Sequence, residues 1–245
     1  MVRVDSASGS VVWKHQPVPF SMDGDPDWAS GPATVLASCG MLIASTMKDG
    51  WTYAVNAGSG LPGPAGVQWQ FPPTGFPFSL GDGTVHGDTR YLRPGAAWGD
   101  VFITNGGGLN LTAANGIQSN YSRLHALNAC ASQTDRIRWI KDVPNASGAY
   151  SLGPPTVSRG IVYIGTHTGR LIAIADPSIA PAAGWRCSHP DVLTANCVAS
   201  GFTLVPDPTV LANVQLDGGI LTEPALARGR VYVATGAGKL YMLEP

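Results

Sequence analysis

Ile161-Val-Tyr-Ile-Gly-Thr166 leads into Thr168-Gly-Arg-Leu-Ile-Ala-Ile174, then an acidic turn at Asp176 and a tryptophan at Trp185. The same sentence is spelled again elsewhere in the chain. One copy reads Leu42-Ile-Ala-Ser-Thr46, Lys48-Asp-Gly50, Trp51-Thr-Tyr-Ala-Val-Asn56, Gly60, Trp69. Another reads Val101-Phe-Ile-Thr104, a long insertion, Arg123-Leu-His-Ala-Leu-Asn128, Trp139. The last runs Arg230-Val-Tyr-Val-Ala-Thr235, then Gly238-Lys-Leu-Tyr-Met-Leu-Glu244. The end missing from that copy stands at the other terminus, as Val2-Arg-Val-Asp5, Gly9, Val11-Val-Trp13. A period of tens of residues marks a repeat architecture, and each repeat is one supersecondary unit.

The units are short runs of β-branched, aliphatic and aromatic residues cut by glycine turns. That is strand chemistry, because the runs are too short for helices and lack their period. Thr166-His-Thr-Gly169 and Thr235-Gly-Ala-Gly238 are hairpin-turn signals, since glycine takes a positive φ without steric cost. Short antiparallel strands in repeated sets of four predict an all-β propeller whose blades stack because none can bury both faces alone. Division at the repeat marks predicts about four blades, over residues 27–71, 88–143, 150–187, and 219–245 with 1–16. Two arrangements of the ends follow. Either the N-terminal strand completes the last blade and removes an open edge, or the ring is incomplete.

Composition fits many turns and one domain of 245 residues with Gly 31, Pro 20 and 13% charged residues. A formal net charge of −1 gives no electrostatic reason to expect nucleic acid or an anionic membrane as partner. No apolar run is long enough for a transmembrane helix, and no signal peptide is visible. Strand-like sequence begins almost at Met1, inside a repeat, which points to a segment of something longer.

Asp5-x-x-x-Gly9-x-x-x-Trp13 resembles the tryptophan-docking pattern of the quinoprotein propellers, with looser copies at Asn56/Gly60/Trp69, Asn128/Trp139 and Asp176/Trp185. The resemblance to this PQQ-like repeat family covers nearly the whole chain. It implies that Trp13, Trp69, Trp139 and Trp185 pack between neighbouring blades, with each indole N–H on a partner. A second likeness lies in Val11-Val-Trp-Lys-His-Gln16, Asp25-Pro-Asp-Trp-Ala-Ser-Gly-Pro32, Lys48-Asp-Gly50 and Tyr53-Ala-Val-Asn56. These segments resemble the catalytic stretch of PQQ-dependent alcohol and polyvinyl-alcohol dehydrogenases. The resemblance implies PQQ and calcium as cofactors and a small alcohol as substrate. Asp27 would be the general base and a neighbour of the calcium ion, and Lys48 the contact to the quinone. Hydride leaves an alcohol carbon as a positioned base takes the hydroxyl proton. Each residue also has a plainer reading. Asp25-Pro-Asp27 is a good turn starter, and a lysine in a hairpin turn is commonly solvated.

The match corresponds to the C-terminal half of such an enzyme. The family's calcium-binding glutamate and asparagine, its adjacent cysteine pair and its tryptophan floor lie upstream of the catalytic aspartate, and none has a counterpart here. No haem-attachment CxxCH occurs either. Either a further propeller half or a second copy of the chain would therefore have to complete the ring. The alternative is a non-catalytic propeller, a binding or assembly scaffold that has lost the cofactor site; fold alone does not decide between them.

The four cysteines divide into two expectations. Cys187 and Cys197 flank a polar loop and predict a disulfide; Cys39 and Cys130 read as buried free thiols. A disulfide implies an oxidising compartment. Three sequons, at Asn110, Asn120 and Asn145, point the same way, to an extracytoplasmic (periplasmic or secreted) protein. His15, His86, His125, His167 and His189 are scattered without metal-ligand spacing. Asn105-Gly-Gly-Gly108 opens no helix and reads as the start of an insertion, not as a phosphate cradle.

Overall fold

The computed structural model describes residues 1–16, 31–46, 52–61, 63, 69–71, 95–97, 99–104, 111–112, 118–119, 121–131, 136–144, 152–176, 208–220 and 222–244. Among the described residues every regular element is a strand. A two-stranded sheet comes first, β1 (Val2–Val4) with β2 (Val11–Lys14). A four-stranded sheet follows in simple chain order: β3 (Ala33–Ala37), β4 (Gly40–Thr46), β5 (Thr52–Asn56) and β6 (Gln70–Phe71). The next holds β7 (Gly95–Ala97) and β8 (Asp100–Thr104). A small hairpin, β9 (Leu111–Thr112) with β10 (Gln118–Ser119), precedes its outer strands β11 (Tyr121–Asn128) and β12 (Ile137–Pro144). A third four-stranded sheet is β13 (Thr156–Ser158), β14 (Ile161–Gly165), β15 (Arg170–Ala175) and β16 (Val210–Gln215). The last sheet has three strands, β17 (Ala225–Ala227), β18 (Arg230–Ala234) and β19 (Leu240–Leu243).

All of these strand pairs are antiparallel, so each sheet is a meander. The first turn of two sheets shows why the sequence folds this way. Arg159 and Gly160 have φ of 48° and 80°, and Arg228 and Gly229 have 50° and 74°. Two consecutive positive φ values are what a tight hairpin matched to strand twist requires.

The core lies between sheets. Alternate residues of each strand face opposite neighbours. Val35, Leu42, Ala44, Ala54 and Trp69 of one sheet meet Val101, Leu127 and Ala129 of the next. Leu124, Ala126 and Trp139 then meet Val162, Ile164, Ile172 and Ile174. On the other face of that sheet, Tyr163, Leu171 and Ala173 meet Ile220, Val231 and Val233. This is nearest-neighbour stacking of repeats, as a propeller requires.

Three expectations change. Among the described residues the N-terminal strands do not join the last sheet: β1–β2 and β17–β19 are separate, and closure of the ring by the N-terminal strand is not seen. Arg3 Nη1 donates to the carbonyls of Ala57 and Gly58, and Trp13 Nε1 donates to that of Ala57, which fixes the N-terminal sheet on its successor. The third repeat, expected to end near residue 187, takes its fourth strand from β16, and Trp185 lies outside the described residues. Finally, Cys39 and Cys130 are joined in a disulfide, not free. Stacking brings the turn between β3 and β4 against the turn that follows β11. Cys187 and Cys197 lie outside the described residues.

Candidate functional site

A four-stranded meander puts its turns at two ends. The first–second and third–fourth turns share one end. The second–third turn and the connection to the next sheet share the other. Asp27 falls in the connection from β2 to β3, and Lys48 in the β4–β5 turn; both lie outside the described residues. Their flanks are described. Thr46 and Thr52, buried at the base of the Lys48 turn, share a hydroxyl–hydroxyl hydrogen bond of 2.9 Å. Gln16, just beyond β2, is exposed.

The equivalent pair of segments at the far end of the chain is described in full. The connection from β16 to β17 runs through Leu216–Ile220. Leu216 N donates to Gly169 O and Ile220 N to Thr166 O, both at 2.8 Å, which lays the connection on the β14–β15 turn. Gln215 Nε2 adds a bond to Thr168 O. The next sheet then joins: Gly236 N, in the β18–β19 turn, donates to Gly219 O at 2.8 Å. Lys239, at the end of that turn, forms an exposed ion pair with Asp217. The ion pair and its hydrogen bond hold the Asp217 carboxyl below its ordinary value and raise the Lys239 ammonium above its own. An inter-sheet connection and the second–third turn of the following sheet thus meet at one end of the stack. Asp27 and Lys48 occupy these same two kinds of segment, between the first and second sheets.

The threonine closing each second strand was quoted in every repeat but given no role. Thr166 Oγ1 accepts from Arg170 N at 2.9 Å and shares a hydrogen bond with Thr168 Oγ1. Thr46 behaves alike, and Thr235 is buried at the same place. The signal was its recurrence at Thr46, Thr104, Thr166 and Thr235.

The opposite end carries the tryptophans. Trp13 Nε1 donates to Ala57 O at 3.1 Å, Trp69 Nε1 to Ala129 O at 3.0 Å, and Trp139 Nε1 to Asp176 Oδ1 at 2.8 Å. In each case the acceptor is in the third-to-fourth turn of the next sheet. Those turns are organised by the Asx residue of the repeat. Asp5 Oδ1 accepts from Ala7 N, Ser8 N and Ser8 Oγ, and Asn56 Oδ1 from Gly58 N and Ser59 N. Asn128 Oδ1 accepts from Cys130 N. Hydrogen bonds from Ser8, then from Ala7, hold the Asp5 carboxyl below its ordinary value. Gly60, with φ of 72°, leaves room for the Trp13 ring: a Cβ there would come within 2.6 Å of it.

One junction is reinforced. Trp69 is 1% exposed and lies under Arg136, whose guanidinium carbon is 4.2 Å from the ring centroid. Arg136 Nη2 donates to Ala131 O, and the Cys39–Cys130 disulfide grips the same turn from the other side. Burial pushes the Arg136 guanidinium down to about 10, so it stays charged at neutral pH. The third sheet departs from the pattern. There Ala212 stands opposite Ala173, where the two preceding sheets bring Trp69 beside Ala54 and Trp139 opposite Ala126.

Calcium takes six to eight oxygen ligands. Among the described residues no three His, Cys, Asp or Glu side chains come together to hold a metal.

No protein-family profile and no curated protein matches the chain. Solved structures do. The quinohemoprotein alcohol dehydrogenase of Comamonas testosteroni superposes with a TM-score of 0.52 at 13% identity, over 96% of this chain and 38% of that one. The quinohemoprotein alcohol dehydrogenase ADHIIG of Pseudomonas putida HK5 gives 0.48 at 12%, over 95% and 37%. BamB from Moraxella catarrhalis gives 0.39 at 13%, over 98% and 65%. The chain therefore spans about two-fifths of the dehydrogenases it resembles and under two-thirds of BamB. At such identities the likeness establishes fold. The chain is an all-β protein with the β-propeller fold of these neighbours, and among the described residues its first and last sheets are not joined.

Proposed function

We propose that this chain forms part of a quinoprotein-type dehydrogenase ring, oxidising a small alcohol with PQQ and calcium, in which Asp27 is the general base and Lys48 the contact to the quinone. The observation that supports it is the meeting of equivalent segments at the other end of the chain, where the 216–220 connection is bonded to the turn holding Lys239. On this reading the Asp27 and Lys48 segments, their equivalents in chain order at the first junction, meet in the same way. Asp27 would take the substrate hydroxyl proton and Lys48 would hold fixed positive charge beside the quinone, whose chemistry when bound is that of a hydride acceptor. The calcium ligands and the floor of the pocket come from further blades, belonging to a longer chain or to a second copy. Trp13, Trp69 and Trp139 are the docking residues of the repeat, and in the third sheet Ala212 stands at that position. The disulfide between Cys39 and Cys130 supports an extracytoplasmic location.

A second reading is a scaffold propeller without cofactor. It is favoured by the use of Cys39 and Cys130 as a crosslink between sheets, where the dehydrogenases have an adjacent pair. Turnover of a primary alcohol with PQQ, calcium and a dye acceptor separates the two. The enzyme reading expects Asp27→Asn to lower kcat by roughly a hundredfold or more with unchanged circular dichroism. Equal turnover by wild type and Asp27→Asn removes Asp27 from the mechanism, and a folded wild type without turnover when the completing blades are supplied leaves the scaffold.

A further inference from the structure

The Cys39–Cys130 disulfide is built unevenly. Cys39 lies in the short turn between β3 and β4, half-buried between exposed Ser38 and exposed Gly40. Cys130, also half-buried, lies in the turn after β11, and hydrogen bonds pin that turn at three consecutive residues. Cys130 N donates to Asn128 Oδ1 at 2.9 Å, Ala129 O accepts from Trp69 Nε1, and Ala131 O accepts from Arg136 Nη2.

The hydrogen bonds to sulfur fall on one atom. Cys39 N donates to Cys130 Sγ at 3.1 Å, and the Ser38 hydroxyl donates to the same sulfur at 3.5 Å. A disulfide sulfur carries no proton, so it is the acceptor in both. Among the described residues no donor reaches Cys39 Sγ. Donors and nearby positive charge stabilise a thiolate, and the better-stabilised thiolate leaves faster in exchange. Both effects favour Cys130: two donors point at its sulfur, and the Arg136 guanidinium is bonded to the same turn. The Cys39 sulfur, on the turn exposed on either side of it, offers the open approach.

We propose that this disulfide is a directional thiol-exchange site, with Cys39 as the sulfur attacked by a dithiol reductant and Cys130 as the leaving sulfur. The reductant's thiolate bonds to Cys39 Sγ as the Cys39–Cys130 bond breaks, and the electron pair leaves on Cys130. The reductant's second thiol, having lost its proton, then attacks its own sulfur in the mixed disulfide. Cys39 departs as a thiolate and takes up that proton. Two electrons pass to the protein, and the dithiol becomes a disulfide. Reduction frees the β3–β4 turn, while Trp69 and Arg136 still bind the turn after β11. The link between two consecutive sheets is thus redox-sensitive, whether or not the chain belongs to a quinoprotein.

Glutathione, a monothiol, halts the exchange at the mixed disulfide. The folded chain is treated with it near neutral pH, trapped with iodoacetamide, and its peptides are identified by mass spectrometry. Glutathione on Cys39 with alkylated Cys130 should exceed the reverse by roughly tenfold or more. After full reduction with dithiothreitol, the pH profile of alkylation should place the Cys130 midpoint below the ordinary value of about 8.5, and below that of Cys39. Ser38→Ala keeps both cysteines; it should slow reduction by roughly threefold and raise the Cys130 midpoint. Glutathione found on Cys130, or equally on both, overturns the proposal, as do equal midpoints. So does Ser38→Ala reacting as wild type does, or a bond that dithiothreitol opens only in urea.

Discussion

Removing the Cys39–Cys130 crosslink should cost more than any single contact at its junction. The two cysteines are 91 residues apart in sequence. If the disulfide acts by restricting the unfolded chain, a loop of that length gives about 4.6 kcal/mol at 25 °C. A loop the size of the one between Cys187 and Cys197, about ten residues, would give about 2.7 kcal/mol by the same relation. For a domain of this size each kcal/mol moves Tm by roughly 2–4 °C, so the loss is about 10–18 °C. The perturbation is Cys39→Ser with Cys130→Ser, which leaves the other cysteines alone. The assay is thermal and urea unfolding followed by circular dichroism, with tryptophan fluorescence read alongside, because Trp69 hydrogen-bonds to the residue beside Cys130. Reduction of the wild type should lower Tm at least as far as the double variant does. A double variant within about 1 kcal/mol of wild type would refute the loop argument and leave the bond as an incidental link on an already rigid junction.

Other consequences are quicker to check. Replacing each indole by phenyl removes one N–H donor: Trp139→Phe, which takes a donor from the Asp176 carboxylate, should cost about 1.5–3 kcal/mol and Trp69→Phe about 1–2, with half-buried Trp13→Phe least. Equal losses in urea unfolding would deny that these hydrogen bonds matter. Gly165→Ala puts a methyl group into Ile220 and should cost about 1–3 kcal/mol; Ile220→Ala removes the Cγ2 in its way, so the two losses together should fall short of their sum, whereas an additive pair of losses would rule the clash out. Burial, then the nearby N-terminal ammonium, holds the His15 imidazole below its ordinary value of 6.5. Its contribution to stability is therefore full above pH 6.5 and falls as pH drops through the lower folded value. His15→Gln should flatten the acid side of the Tm profile between about pH 7 and 5, and an unchanged profile would clear His15 of the effect.

The tryptophans and the sheets behind them were legible because they repeat. Trp13, Trp69 and Trp139 each stand at the same place in a written sentence, and each reaches the next sheet. The hairpin turns were legible because Gly160 and Gly229 mark positive φ. What could not be read depends on stacking distance. Cys39 and Cys130 meet only because consecutive sheets bring two distant turns together, and no local pattern reports that. β16 escaped because it follows a long connection and carries alanine where its neighbours carry tryptophan. The N-terminal sequence matches the missing end of the last repeat, and Arg3 and Trp13 pack it on the Ala57 turn as the other tryptophans pack their sheets.

The most direct test of the proposed site is a titration of the chain with PQQ in the presence of calcium, followed by tryptophan quenching and with stoichiometry from calorimetry. The account predicts calcium-dependent binding of one quinone per chain or per pair of chains, weakened at least tenfold by Lys48→Ala. A folded chain that binds quinone equally well without Lys48 would contradict the assignment of these segments to a quinoprotein site.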